Sequence, residues 1–275
     1  MPKIKFTKMS GTLNDFIIID NRSLILDADH LSDWVKKICA RKYSVGADGL
    51  ILIEKSEKAD FKWRFFNCDG SEAEMCGNGS RCAARFAYLE GITSPNLTFE
   101  TLAGIIKAQV NDNRVKVQMT DPTHIKLDTT LTIEGSPVKL SRINTGVPHV
   151  VIEVGNLSDF GLPTLLTLGR TIRTHKFFEP QGTNVNFIEP LDFSHIKVKT
   201  YERGVEDITY ACGTGVVASA LIAHAKKMVK SPVEVETPGG KLMVYFEFDG
   251  KNYSKVFLEG DARVIYRGEL TDESV

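Results

Sequence analysis

The chain has 275 residues, of which 42% are hydrophobic and 25% charged, a composition typical of a soluble globular protein with a substantial core. Its 34 basic and 35 acidic residues give a formal net charge of −1 without a long basic run, which argues against nucleic acid and anionic membranes as partners. The first twenty or so residues lack the apolar stretch of a signal peptide, and no run of 18 apolar residues is present to span a bilayer.

Helical and strand patterns alternate along the chain. A helix is expected over 30–42, a second over the alanine-rich segment 80–91, a third over 157–172 and a fourth over the apolar segment 216–228. Apolar and polar residues alternate on either side of turn-like sequences in 96–119 and 231–260, which predicts hairpins. The last segment, 262–270, is expected to cross back and complete the first half of the protein.

The chain contains an internal duplication. A shift of 136 residues takes the motif C-G-x-G at Cys76 onto the same motif at Cys212, and it preserves eight identities over 29 ungapped positions, including E-T-x-x-G. This period is too long for a solenoid repeat and indicates paired domains. The predicted fold class is α+β, with two pseudo-symmetric domains, 1–120 (completed by 264–275) and 121–263. Each would be a curved, mostly antiparallel sheet or barrel around a central helix, with the active site in the cleft between them.

Both copies of the motif place a cysteine immediately before a helix. The free N–H groups and partial positive charge of a helix N-terminus lower a thiol pKa and also hold carboxylates. Two thiols facing one another suit the inversion of a carbon stereocentre, in which one removes a proton from one face and the other returns a proton to the opposite face. Cys76 and Cys212 are therefore the predicted acid and base, and this chemistry requires neither a metal nor a cofactor.

The five cysteines also have other interpretations. Their odd, sparse number favours reduced thiols in a cytoplasmic protein over a disulfide framework. Cys39, Cys68 and Cys82 are interpreted as small packing residues. Cys68, Cys76 and Cys82 are clustered, although their spacing is unusual for zinc. The match to G-x-G-x-x-A from residue 213 to 218 leaves a dinucleotide-dependent oxidoreductase open as an alternative, together with a thiol redox protein.

At this point the sequence resembles a known family. The segments "FNCDGSEAEMCGNGSRCA" and "YERGVEDITYACGTG" are very similar to the two signatures of the diaminopimelate epimerases, and "GTLNDFIIID", "VGADGLILIE", "NTGVPHVV" and "GTNVNFI" extend the resemblance along the whole chain. The resemblance implies a cofactor-independent isomerase that interconverts LL- and meso-2,6-diaminopimelate in lysine and peptidoglycan precursor synthesis. It also implies a homodimer with a small-molecule substrate.

The resemblance implies a role for each matching residue. Cys76 and Cys212 match the acid/base pair, His149 matches a histidine that supports Cys76, and Glu202 matches a partner of both the reacting amino group and Cys212. The reacting carboxylate is expected at two pairs of backbone groups, and the remainder of the substrate at four side chains. These positions are Gly77, Asn78, Gly213 and Thr214 for the carboxylate, and Asn14, Asn67, Asn184 and Arg203 for the remainder.

Two positions depart from the family pattern. Val147 stands where some members carry an asparagine that contacts the far end of the substrate, and Gly49 stands where others carry glutamine. Because the proposed catalytic residues are intact, these departures leave a racemase or epimerase of another amino acid as the alternative function.

Overall fold

The computed structural model describes residues 4–26 and 31–274. Its contacts divide the chain into two compact units. The first unit comprises the chain up to Gln118 together with the residues from Glu259 onward, and the second is Met119–Leu258. Both units combine a mixed sheet with few helices, so the predicted α+β class is confirmed.

The first unit begins with a mixed sheet and two helices. Its elements are β1 (Lys5–Gly11), β2 (Asn14–Asp20), α1 (Leu31–Cys39), β3 (Gly49–Glu54), β4 (Phe61–Asn67), β5 (Glu72–Ala73), α2 (Gly77–Leu89), β6 (Asn96–Thr101), β7 (Gly104–Asn111) and β8 (Arg114–Gln118). Strand β2 pairs parallel with β3, and β4 pairs parallel with β6. The pairs β1–β2, β3–β4, β4–β5, β6–β7 and β7–β8 are antiparallel. Residue 30 of the first expected helix lies outside the described residues.

The second unit repeats this order of pairing. Its elements are β9 (Thr123–Ile133), β10 (Ser136–Asn144), β11 (Pro148–Glu153), α3 (Leu162–Arg173), β12 (Asn184–Pro190), β13 (His195–Glu202), β14 (Asp207–Thr209), α4 (Gly213–Ala225), β15 (Val233–Thr237) and β16 (Gly240–Phe248). Strands β11–β12 and β13–β15 are parallel. The pairs β9–β10, β10–β11, β12–β13, β13–β14 and β15–β16 are antiparallel.

The last two strands are β17 (Tyr253–Asp261) and β18 (Arg263–Glu269). Strand β18 pairs antiparallel with β1, which places the end of the chain in the first unit. The described strands form sheets, so the sheet alternative of the prediction is the correct one, and no closed barrel is found among them.

The E-T-x-x-G turns show the duplication in atomic detail. The Thr101 hydroxyl donates to the Gly104 carbonyl at 2.8 Å, and the Thr237 hydroxyl donates to the Gly240 carbonyl at the same distance. Both glycines have positive φ values, +112° and +134°, which an L side chain rarely adopts. The repeated glycine is therefore required by the backbone of the turn, and the two pseudo-symmetric halves are confirmed.

The central helices are buried as the sequence predicts. Helix α2 packs against β1, β2, β3, β7 and β8, while α4 packs against β10–β13, β15 and β16. Nine residues of each 13-residue helix are buried. Further apolar clusters lie beneath α1 in the first unit and beneath α3 in the second. Each cysteine turn is thus anchored to a helix held on several sides.

Two predicted helices are shorter than expected. Helix α1 ends at Cys39, three residues before the expected end at 42. The segment 157–172 contains a 3-10 turn at Leu157–Asp159, and α3 starts only at Leu162. Gly161 has an extended ψ of 152°, and the proline that follows in the first turn has no N–H to continue an earlier helix. Among the described residues, no helix is both long and apolar enough to cross a bilayer.

Candidate active site

Cys76 is the N-cap residue of α2. Its backbone is extended, with φ −146° and ψ 115°, and its Sγ accepts a hydrogen bond from the Gly79 N–H at 3.4 Å. The residue is half-buried. A donor from the first helical turn and the helix dipole both favour negative charge on this sulfur.

Two asparagines predicted as substrate ligands lie beside Cys76. The Asn78 amide donates to Asn14 Oδ1 at 3.3 Å, and this same oxygen lies 3.9 Å from the Cys76 Sγ. The Asn14 amide nitrogen donates to Asp48 at 2.7 Å. Because Asp48 accepts here, the Asn14 carbonyl oxygen must face Cys76. The structure therefore brings Asn14, Cys76 and Asn78 together.

A buried arginine lies below this turn. The Arg81 guanidinium donates to Asn78 Oδ1 at 2.9 Å, to the Thr12 hydroxyl at 2.6 Å and to the Gly77 carbonyl at 3.2 Å. It also donates to the Asp261 carbonyl at 3.2 Å. Burial lowers the pKa of Arg81, but the guanidinium remains charged and interacts electrostatically with Cys76. The arginine thus fixes the orientation of Asn78 and supplies positive charge near the thiol.

Asn67 and Gly49 lie opposite one another on β4 and β3. The Asn67 amide donates to the Ser71 hydroxyl at 3.0 Å, a bond within its own turn. A Cβ on Gly49 would stand 2.6 Å from the Phe66 carbonyl oxygen and 2.7 Å from the Phe65 ring. The glycine is therefore required by packing, which gives this departure from the family pattern a structural cause.

Cys212 is the N-cap residue of α4 in the second unit. Its backbone is again extended, with φ −104° and ψ 109°, and its side chain is buried, with 6% exposure. The sulfur lies 3.5 Å from the Thr214 hydroxyl in the first helical turn. The second cysteine turn therefore repeats the backbone of the first, with a hydroxyl next to the sulfur.

Glu202 lies at the end of β13 and shares a hydrogen bond with Cys212. Burial raises the pKa of this carboxyl, while the bond with Cys212 acts in the opposite direction. The thiol is the donor when the carboxyl is ionised. A carboxylate next to the sulfur provides a proton acceptor for the thiol.

His149 lies on β11 and is 1% exposed. Its Nε2 is 2.9 Å from the Thr214 hydroxyl, and its Nδ1 is 3.1 Å from the Asn186 amide nitrogen. Burial, assisted by the nearby Arg203 charge, lowers its pKa to about 3, so the ring is neutral at ordinary pH. The hydrogen bonds of this histidine lead to the turn of Cys212.

Asn184 and Arg203 form a second polar group in this unit. The Asn184 amide donates to the Pro148 carbonyl at 3.2 Å, and its oxygen accepts the Arg203 backbone N–H at 2.8 Å. The Arg203 guanidinium donates to the Gln181 carbonyl at 2.9 Å. These contacts hold both predicted substrate ligands in fixed orientations.

The two cysteine turns differ in charge. Under the 136-residue shift, Arg81 corresponds to Val217, and Glu202 corresponds to Phe66. Cys76 therefore has a buried cation nearby, whereas Cys212 has a carboxylate. Two related helix starts consequently place their thiols in different electrostatic environments.

The other cysteines are in settings that suit packing. Burial raises the thiol pKa values of Cys39 and Cys82 to about 12, which makes them poor nucleophiles. Cys68 is exposed. Over residues 4–26 and 31–274, no cluster of three histidine, cysteine or acidic side chains is arranged to hold a metal.

The dinucleotide interpretation also fails on the geometry. That motif needs a buried parallel strand leading directly into the glycine turn. The strand before α4 is the three-residue β14, which pairs antiparallel with β13. The match to G-x-G-x-x-A is therefore coincidental, and Gly215 and Ala218 serve helix packing, since both are buried in α4.

Sequence reasoning missed Arg81, Thr12, Asp48 and Asn186. Arg81 is one of two arginines in a helix otherwise interpreted as buried, and the sequence does not distinguish it from Arg85. Asn186 lies two residues after Asn184 on one strand, and this spacing places both side chains on the same face. That periodicity was the available signal for Asn186, whereas Thr12 and Asp48 had no local signal beyond their turn-like sequences.

Comparison with solved structures defines the class of fold. A phenazine biosynthesis protein of the PhzF family from Bacillus anthracis matches with a TM-score of 0.74 at 20% identity, over 98% of this chain and 100% of that one. A hydroxyproline epimerase from Agrobacterium vitis matches with a TM-score of 0.70 at 15% identity, over 98% and 93%. The fold is therefore the duplicated α+β fold of this group of proteins.

Sequence comparison gives the family. The diaminopimelate epimerase family model matches residues 6–125 and 141–265. The diaminopimelate epimerase of Aquifex aeolicus (strain VF5) is 47% identical over 98% of this chain and 99% of its own length. That of Hydrogenobaculum sp. (strain Y04AAS1) is 44% identical over 97% and 98%. The chain belongs to the diaminopimelate epimerase family, and the protein is an isomerase.

Proposed function

We propose that this protein interconverts LL- and meso-2,6-diaminopimelate by proton transfer at the α carbon. The observation that carries the proposal is the pair of N-cap cysteines, found in a chain that is 47% identical over nearly its full length to a relative named diaminopimelate epimerase. The reaction belongs to lysine and peptidoglycan precursor synthesis.

The proposed chemistry uses the two thiols in turn. One thiolate accepts the α proton, so that the Cα–H bond breaks and an S–H bond forms. The other thiol gives its proton to the opposite face of the same carbon and becomes the thiolate. Cys76 and Cys212 exchange these roles when the direction of reaction reverses. No net oxidation or reduction occurs.

The charge that develops on the reacting carboxylate needs stabilisation. The first-turn N–H groups at Gly77–Asn78 and Gly213–Thr214 are suitable donors, because each pair lies at the N-terminus of a buried helix. Glu202 is a suitable partner for the substrate ammonium, because burial already disfavours its isolated charge. An ammonium partner would stabilise the ionised carboxylate.

The remaining assignments concern the far end of the substrate. Arg203 is proposed to bind the second carboxylate, since a guanidinium offers paired donors. Asn14, Asn67 and Asn184 are proposed to bind the second amino acid group through amide donors and acceptors. The support of Cys76 by His149, which the family resemblance implies, also remains a proposal.

Three wider properties complete the proposal. The reaction proceeds without a cofactor, because the two thiols and the helix N-termini supply its acid, base and charge stabilisation. The protein acts in the cytoplasm, as its sparse cysteines suggest. It forms a homodimer, which sedimentation at several protein concentrations would test.

The alternative is an epimerase or racemase of another amino acid. Val147 is the observation that favours it, because valine cannot provide the amide contact expected at the far end of the substrate. Gly49 is the other departure from the family pattern. Its packing against Phe65 gives that departure a structural cause and so weakens it as an argument for a different substrate.

Proton NMR in D2O tests the proposal directly. With LL-diaminopimelate and reductant, the α-proton signal is expected to disappear as meso product forms. Cys76→Ala and Cys212→Ala are each expected to lose epimerisation by at least about 100-fold, while the exposed Cys68→Ala serves as the control and retains activity. Exchange with a different amino acid but not with diaminopimelate would establish the alternative.

A further inference from the structure

Asn186 has every polar group of its amide engaged inside the second unit. Its side chain is fully buried on β12. The amide nitrogen donates to the Val150 carbonyl at 2.8 Å and lies 3.1 Å from His149 Nδ1, and the oxygen accepts the Thr200 hydroxyl at 2.9 Å. Because a backbone carbonyl only accepts, the NH2 group must face Val150 and therefore also His149.

This orientation determines the tautomer of His149. With an amide N–H directed at Nδ1, that nitrogen must accept and carries no proton. A neutral imidazole has a single N–H, which is then on Nε2. The Nε2–H donates to the Thr214 hydroxyl oxygen at 2.9 Å.

The tautomer in turn directs the Thr214 hydroxyl. Its oxygen already accepts from His149, so the hydroxyl proton is available for another acceptor. The Cys212 sulfur lies 3.5 Å away. A hydrogen bond donated to this sulfur favours the thiolate.

We propose that Asn186 is a positioning residue, which sets the tautomer of His149 and thereby makes the Thr214 hydroxyl a donor to the Cys212 sulfur. The proposal rests on the proposed role of Cys212 as an acid and base. The charged groups nearby are Glu202, which accepts the Cys212 S–H, and Arg203, which interacts with His149. The thiol therefore lies between an acceptor for its proton and a donor for the resulting negative charge.

The tautomer is measurable in the wild-type protein without any substitution. Long-range 1H–15N spectra show which ring nitrogen carries the proton, and the His149 signals are identified by their loss in His149→Gln. At neutral pH we expect protonation of Nε2 only. Protonation of Nδ1 would overturn the proposal.

The effect on Cys212 is tested by its ionisation, followed as the thiolate absorbance that Cys212→Ser removes. Thr214→Val keeps the side-chain shape without the hydroxyl, and is expected to raise the pH midpoint of Cys212 by about one unit. Ser219→Ala is the control, because this buried hydroxyl in the same helix bonds the Gly215 carbonyl outside the chain of contacts. An unchanged midpoint in Thr214→Val would refute the proposed hydrogen bond.

Asn186→Asp replaces the donor facing His149 by an acceptor and is expected to move the ring proton to Nδ1. The negative charge of the new carboxylate also acts directly on Cys212. The shift that Asn186→Asp causes in the pH midpoint of Cys212 is therefore measured with and without Thr214→Val. A smaller shift in the Thr214→Val background supports the chain of contacts, whereas equal shifts leave only the direct charge effect and contradict it. If Asn186→Asp fails to fold, the proposal is tested by the tautomer of His149 in the wild type and by the pH midpoint of Cys212 in Thr214→Val.

These measurements need no substrate. If the wild type exchanges the α proton in D2O but the variants do not shift the pH midpoint of Cys212 as predicted, only the role of Asn186 is overturned. Conversely, the predicted shifts in a protein that does not exchange diaminopimelate would leave this arrangement intact and reject the proposed substrate.

Discussion

Replacing His149 by glutamine should remove a pH-dependent loss of stability between about pH 6.5 and pH 3. The buried imidazole is neutral in the folded protein, and its pKa falls from the ordinary 6.5 to about 3. Between these values the unfolded chain binds more protons than the folded chain. The free energy of unfolding therefore rises with pH in this window and is lost as the pH falls.

The size of this effect follows from the two pKa values. At about 1.4 kcal/mol per pKa unit, the full effect of His149 is about 4 to 5 kcal/mol at pH 3. At pH 4.5, protonation of His149 in the unfolded chain has already lowered the free energy of unfolding by about 2.5 kcal/mol. The contribution is nearly constant above pH 7.

Urea unfolding of the wild type and His149→Gln at several pH values measures the difference. Both tryptophans, Trp34 and Trp63, belong to the first unit, so their fluorescence reports that unit while far-ultraviolet circular dichroism reports both. Coincident transitions justify a two-state fit. The wild type should lose about 2.5 kcal/mol more than the variant between pH 7.5 and 4.5. Parallel losses would refute a buried neutral imidazole at this position.

Three further substitutions test other features. Arg81→Met should raise the pH midpoint of Cys76 ionisation by removing a buried cation, as read from the thiolate absorbance that Cys76→Ser removes; a lower or unchanged midpoint would contradict the electrostatic role. Gly49→Ala should lower the free energy of unfolding by about 1 to 3 kcal/mol, because its Cβ meets Phe66 and Phe65 at 2.6 and 2.7 Å; wild-type stability in urea would show that the site has room. Gly104→Ala meets no neighbouring atom within 4 Å but has φ +112°, so a loss of about 1 to 2 kcal/mol from backbone strain alone is expected in the same assay.

The two central helices were predictable because their signals are local. The glycine-flanked cysteine, the small apolar residues and the 136-residue shift locate both helices, although these begin at Gly77 and Gly213, three residues before the expected 80 and 216. The start of α3 was misjudged, because a continuous apolar pattern concealed the break that Gly161 and the following proline introduce. Periodicity therefore predicted which segments are helical better than where they begin.

The candidate site was predictable to the level of residue types and motif positions. Asn14 and Asn78 were named from the family resemblance, and the structure joins them beside Cys76. Asn14 is oriented by Asp48, 34 residues further along the chain, and Asn78 by Arg81, which lies one helical turn later in α2 but whose burial has no local signal in the sequence. Hydrogen-bond direction is set by the partner, and the partner is known only after folding.

The sequence by itself determined that this protein is a duplication with a cysteine at the start of each central helix, since repeats and helix starts are encoded by neighbouring residues. Only the tertiary structure decided what surrounds each sulfur. The buried Arg81 and the chain from Asn186 through His149 to Thr214 join residues of different strands and helices. Burial and hydrogen-bond partners, which tune a thiol, arise only when distant segments of the chain pack together.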